Sequence, residues 1–249
     1  MINRLLKASA VGMLLTPFAI AKADLMFVGL VTIGGTGLGT VNTVLTIQSQ
    51  GSSSTEQGCV TRSGTSDAVG NFTYGTASNV TDCAIATNTD VLNGTSQTQT
   101  RTLAEAGVTS GSDFAVLFNA SEPSGNSISL DGLVVSFYNA TNGALLFSAP
   151  SQLSSYLFPQ TFTGTGNTGE EFTLTSSEAA TLQGFINTLG TSGIRVGLGA
   201  AASQATGGNE TFFIFNSGTA TVVPEPSTVV LTASGMLGLV GYVRRRRRS

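Results

Sequence analysis

Ile128-Ser129-Leu130-Asp131-Gly132-Leu133-Val134-Val135-Ser136-Phe137 runs on through Tyr138-Asn139-Ala140-Thr141-Asn142-Gly143 into Ala144-Leu145-Leu146-Phe147. Large apolar side chains stand at Ile128 and Leu130, and again at Leu133, Val135 and Phe137. A period of two is the mark of a strand with one face on a core. The phase changes across Asp131-Gly132, which reads either as a β-bulge within one strand or as a tight hairpin between two. Asn142-Gly143 is a strong hairpin-turn dipeptide, so a further strand at Ala144 to Phe147 should return alongside the first.

The same pattern recurs on both sides of this stretch. Leu25 to Ile33 is β-branched and apolar, and Val41, Val44, Leu45 and Ile47 mark a second strand. Phe114 to Phe118, Phe172 to Leu174, Ile194 to Leu198 and Thr211 to Phe215 bring the set to about eight short strands. Thr163 to Gly169 and Gly199 to Asn209 read as loops. One helix is expected. Thr175 and Glu178 have capping-box spacing, Leu182, Phe185, Ile186 and Leu189 form one apolar stripe, and Gly190 can close the end. About 200 residues, 24–216, suit a single mainly β domain: an antiparallel β-sandwich, jelly-roll-like, with one short α-helix.

Residues 49–100 are rich in Gly, Ser and Thr and poor in large apolar side chains. They read as a polar excursion that needs a covalent tie. Cys59 and Cys83 are the two cysteines of the chain. In an exported protein an even pair reads as a disulfide, closing a loop of about 25 residues with about 3–4 kcal/mol of stabilisation. Free thiols or a metal pair are the alternative, but no His is present to complete a metal site.

Charge is partitioned along the chain. The formal net charge is −3. Between residues 24 and 223, however, three arginines (Arg62, Arg101, Arg195) face thirteen carboxylates, a formal charge of −10. Such a body excludes nucleic acid as a partner. The absence of His and Trp from the whole chain removes Ser-His-Asp and Cys-His catalysis. The remaining cations lie near the two ends.

Residues 1–23 read as a secretory signal peptide and are expected to form an N-terminal signal helix. Arg4 and Lys7 precede the apolar run Ala8 to Ile20, and Ala21-Lys22-Ala23 offers signal peptidase small residues at Ala21 and Ala23. The run of about 13 residues is shorter than the ~20 a membrane-spanning helix needs, which favours cleavage over anchoring. At the other end, 217–227 reads as a linker holding Val223-Pro224-Glu225-Pro226-Ser227, and 228–249 as a transmembrane helix with an Arg-rich tail. From Thr228 to Val243 no residue is charged. As a helix this covers about 24 Å, slightly short of the ~30 Å hydrocarbon core. Arg244-Arg245-Arg246-Arg247-Arg248 follows and belongs on the cytoplasmic side. Pro224 and Pro226 keep the preceding segment extended.

A Pro-Glu-Pro motif, an apolar Gly- and Leu-rich helix and a terminal arginine cluster, in that order, resemble the PEP-CTERM sorting signal of Gram-negative bacteria. The resemblance covers residues 223–248. It implies recognition of Pro224, Glu225 and Pro226 by the membrane enzyme exosortase, with Arg244 to Arg248 as the cytoplasmic retention signal. It further implies export through the inner membrane, transient anchoring by the C-terminal helix, and delivery to the cell surface or extracellular space, where such proteins accompany exopolysaccharide and biofilm.

For the body, two functions are expected to compete. The first is a non-catalytic structural or glycan-binding matrix component, with exopolysaccharide as partner. The alternative is an extracellular glycan-acting hydrolase using paired Asp and Glu. No carboxylate is singled out. Glu170 and Glu171 adjoin on a strand and should point to opposite faces, and Asp67, Asp82 and Asp90 fall in polar loops. Tyr74, Tyr138 and Tyr156 are the candidate sugar-stacking rings. No catalytic residue, metal site or cofactor is assigned. Structural calcium is the one ion that the oxygen-rich runs Asn88-Thr89-Asp90 and Asn167 to Glu171 would suit, although no EF-hand-type loop is present. An acidic body should meet an anionic polysaccharide only through divalent cations.

Overall fold

The computed structural model describes residues 25–33, 42–49, 54–73, 83–87, 89–94, 96–121, 126–151, 155–158, 168–206 and 208–222. In chain order these form β1 (Leu25–Ile33), β2 (Asn42–Ile47), β3 (Thr55–Ser63), β4 (Ser66–Phe72), β5 (Cys83–Ile85), β6 (Arg101–Thr102) and β7 (Phe114–Ser121). Then come β8 (Ile128–Asn139), β9 (Leu145–Pro150), β10 (Tyr156–Phe158), β11 (Thr168–Leu174), α1 (Ser176–Leu189), β12 (Ile194–Ser203), β13 (Asn209–Asn216) and β14 (Ala220–Val222). One sheet has the order β14-β1-β11-β7-β13-β2. The other runs β10-β8-β12-β3-β4-β5, with β6 beside β12 and β9 beside β8. The strand pairs within both sheets are antiparallel. The body is therefore a β-sandwich.

The phase change at Asp131-Gly132 is a bulge inside one long strand. Leu130 pairs with Ala202 and Gly132 with Ala201, leaving Asp131 as the extra residue. Its carboxylate accepts from the hydroxyls of Ser129 at 2.7 Å and Ser155 at 3.1 Å. The bulge returns Leu133, Val135 and Phe137 to the face that already holds Ile128 and Leu130, so all five reach the core. Asn142-Gly143 does make the turn into β9, with Gly143 at φ 74° and Asn139 N–H bonded to the Ala144 carbonyl at 2.9 Å.

The core lies between the sheets. Phe114, Phe118, Phe172 and Phe212 of the first sheet and Phe137 of the second are fully buried. Phe114 meets Phe137 edge-on at 5.0 Å across the layers, and Phe118 stacks on Phe212 at 4.9 Å. Each such ring contributes about 1.5–3 kcal/mol by leaving water. The helix joins β11 of one sheet to β12 of the other. Leu182 and Ile186 are buried, with Phe185 and Leu189 packed against the same core. Gly190 closes it, its N–H bonded to the Ile186 carbonyl at 2.8 Å.

Several expectations are corrected. Thr175 precedes the helix but its side chain makes no capping bond to the backbone; its hydroxyl pairs with Ser177 at 3.1 Å, so no capping box forms. Residues 55–72 are regular sheet. β3 and β4 make a hairpin that pairs with β12, because strand pairing satisfies backbone groups whatever the side chains are. The expected loops are partly strand, since β12 runs on to Ser203 and β11 starts at Thr168. The expected linker also joins the sheet, as Ala220–Val222 pairs with Ile33–Val31.

Candidate functional site

The outward face of the β8-β12-β3-β4 region carries a small cluster of its own: Cys59, Phe72 and Val134, with Cys83 and Ala201 packed on it. Glycine makes room for it. A Cβ on Gly199 would strike the Phe72 ring, and one on Gly197 would press on Tyr138. The β12 backbone is thus a bare floor for two aromatic rings. On β4, a Cβ on Gly70 would strike the Ala84 backbone, so its absence lets β5 lie close across β4. Cys83 thereby comes within 5.7 Å (Cα–Cα) of Cys59, and the two form the expected disulfide.

Beside this cluster is a groove of about 240 Å³. Thr61, Arg62, Ser136, Tyr138, Leu145 and Ser148 are among its walls. Its hydroxyls pair with one another: Thr61 with Tyr138 at 2.8 Å and Ser136 with Ser148 at 2.8 Å. Among the described residues no carboxylate lines it.

The groove opens next to a gathering of charge. Arg62 Nη1 donates to Asp67 Oδ1 at 2.7 Å. Asp67 also accepts from the Thr100 N–H at 3.0 Å and the Thr100 hydroxyl at 2.5 Å. Arg195 Nε donates to the same hydroxyl at 2.8 Å, and its Nη2 to the Thr100 carbonyl. Arg101, the next residue, donates from Nε to the Thr43 carbonyl at 3.0 Å. Partial burial works to raise the Glu105 carboxyl. Hydrogen bonds from the Thr102 N–H and hydroxyl, with the charges of Arg195 and Arg101, outweigh it and hold the carboxyl below its ordinary value. The three arginines of residues 24–223 thus share one corner of the fold. Their isolation in the composition was the available signal; their convergence was not readable from the chain.

Other expected positions fall apart in space. Glu170 and Glu171 occupy opposite faces of β11: Glu171 is buried, and burial pushes its carboxyl up. They cannot flank one sugar bond or one ion. Asp67 is in β4 rather than a loop. The Asp90 carboxylate accepts the Gln57 N–H at 3.0 Å. Among the described residues no three Asp, Glu or Cys side chains converge as a metal site. Tyr138 lines the groove, whereas Tyr156 packs on Phe27, Phe158 and Phe172 away from it, and burial raises its phenol. Tyr74, Asp82, Asn88 and Asn167 lie outside the described residues. So do Ala21, Ala23, Pro224, Glu225, Pro226 and Arg244 to Arg248, with the expected signal peptide and the expected C-terminal helix. Among the described residues no helix is long and apolar enough to cross a membrane.

Residues 222–248 match the family model of the PEP-CTERM protein-sorting motif. No curated protein and no solved structure matches the chain. The matched segment contains Pro224-Glu225-Pro226, the uncharged run and the arginine cluster, and it begins at Val222, the last residue of β14. Behind its β-sandwich the chain therefore carries a PEP-CTERM sorting motif, the signal of an exported protein directed to exosortase.

Proposed function

We propose that this is an exosortase-sorted protein whose jelly-roll-like body serves outside the cell as a non-catalytic structural or glycan-binding component of an exopolysaccharide matrix. The C-terminal helix holds the body at the inner membrane until exosortase acts, and release delivers it to the surface. One observation supports the reading of the body above others: the groove is walled by hydroxyls, the rings of Phe72 and Tyr138 and a guanidinium, with no carboxylate in it among the described residues. Hydroxyls and a ring suit a polyhydroxylated ligand. A retaining or inverting hydrolase needs two carboxyls about 5–10 Å apart across a cleft.

Two experiments test this. Replacing Pro224-Glu225-Pro226 by alanines should leave the full chain in the inner membrane; surface delivery at the wild-type level would overturn the sorting role. A glycan panel scored for both retention and reducing-end release should show retention without cleavage. Release of reducing ends would establish the hydrolase instead.

A further inference from the structure

We propose that the groove on the outward face of the second sheet is a subsite for the carboxylate of an acidic sugar, with Arg62 receiving it. This deepens the glycan-binding reading and rests on it. Arg62 is largely enclosed, its side chain 11% exposed, and only one of its three nitrogens is accounted for by Asp67, which holds Nη1 at 2.7 Å. Its Nε is buried and has no hydrogen-bond partner. A guanidinium carries five N–H donors in a rigid fork, and a carboxylate matches two of them side by side. An unpaired donor away from water is unfavourable, so an arriving oxyanion that draws Nε into a bond removes a standing penalty.

The surroundings fit the rest of such a ligand. Ser136, Ser148, Thr61 and Tyr138 pair only with each other in the bonds described above, and each can exchange that partner for a sugar hydroxyl at little net cost. The volume of about 240 Å³ is below the ~300–1,000 Å³ of drug-sized ligand sites, which suits one sugar unit of a longer chain. Asp67, the nearest carboxylate named, is engaged by Arg62 and by both donors of Thr100. Behind it Arg195 adds a second positive charge through Thr100. The corner is thus the place where a body of formal charge −10 presents cations. Attraction there acts within about 8–10 Å in physiological salt. The site needs no divalent ion, in contrast to the bridging expected from net charge alone.

The test uses the full chain in detergent micelles, titrated with polygalacturonate, its methyl-esterified form, dextran sulfate and neutral dextran, each with and without a chelator. Polygalacturonate should bind in the presence of the chelator and weaken as salt rises. Methyl esterification or Arg62→Gln should weaken it roughly tenfold or more, and Arg62→Lys less than that. Ser148→Leu, which fills the groove without touching the ion pair, should abolish binding and serves if Arg62→Gln does not fold. Equal binding of the free and esterified polymers, or binding of dextran alone, would sink the carboxylate subsite while leaving glycan binding intact. Preference for dextran sulfate, or loss of binding in chelator, would also overturn it. No retention of any polymer would remove the glycan reading itself.

Discussion

Arg195 and Asp67 hold the same hydroxyl: Arg195 Nε donates to Thr100 Oγ1 at 2.8 Å, and Thr100 Oγ1 donates to Asp67 Oδ1 at 2.5 Å. Through Asp67 the link continues to Arg62 and the groove. A single buried threonine, fully enclosed, thus connects β12, β4 and β3. It does so because a hydroxyl can accept from one neighbour while donating to another.

Thr100→Val keeps the shape and removes that hydroxyl. Arg195 Nε and Asp67 then each lose a partner in a partly buried setting, which should cost about 1–3 kcal/mol. At about 2–4 °C per kcal/mol the melting temperature should fall by several degrees, and Thr100→Ser should restore most of it. An unchanged melting temperature in the valine variant would mean that the hydroxyl carries no stability.

Glu171 sits buried on the outward face of β11, and burial raises its carboxyl above the ordinary value. A raised acid binds its proton more tightly in the folded state than in the unfolded one. Stability from this group is therefore present at low pH and lost as pH climbs from the unfolded value through the folded one. Glu171→Gln should raise the melting temperature at neutral pH, and its advantage should shrink on acidification toward the range of ordinary carboxyls. A gain independent of pH would point to packing rather than ionisation.

Cys59→Ala with Cys83→Ala removes the tie across β4. The chain-entropy cost should be about 3–4 kcal/mol. The loss should be local in its dynamics: amides of β4 and β5 should exchange faster, while those of β7 and β13, deep in the first sheet, should hold. Uniform acceleration throughout would show that the hairpin and both sheets open as one unit.

The helix and several strands were legible locally. The stripe Leu182, Phe185, Ile186 and Leu189 and the alternation in Leu133, Val135 and Phe137 are periodicities over a few residues, set by backbone geometry. β3 and β4 were missed for the converse reason. Thr55–Ser63 and Ser66–Phe72 carry few large apolar side chains. They are strands because β12 provides a partner edge and Val60 reaches the core, while Glu56, farther along β3, is buried and accepts the Ser49 N–H at 2.9 Å. The capping box failed at Thr175 because the Glu178 carboxylate takes the Ser177 hydroxyl at 3.0 Å. Spacing alone does not say which of two nearby donors a side chain will meet.

By itself the sequence determined a mainly β body, one helix, the cysteine pair and the C-terminal sorting motif. Each is written in neighbouring residues, in a rare residue type or in a contiguous motif, and needs no knowledge of distant contacts. Only the tertiary structure decided that Arg62, Asp67, Thr100 and Arg195 share one corner and that bare glycines on β12 and β4 admit Phe72, Tyr138 and the disulfide. Those residues are separated by up to 133 positions in the chain. Nothing local specifies their meeting. It follows from the order β8-β12-β3-β4 and its register, which the whole core selects together.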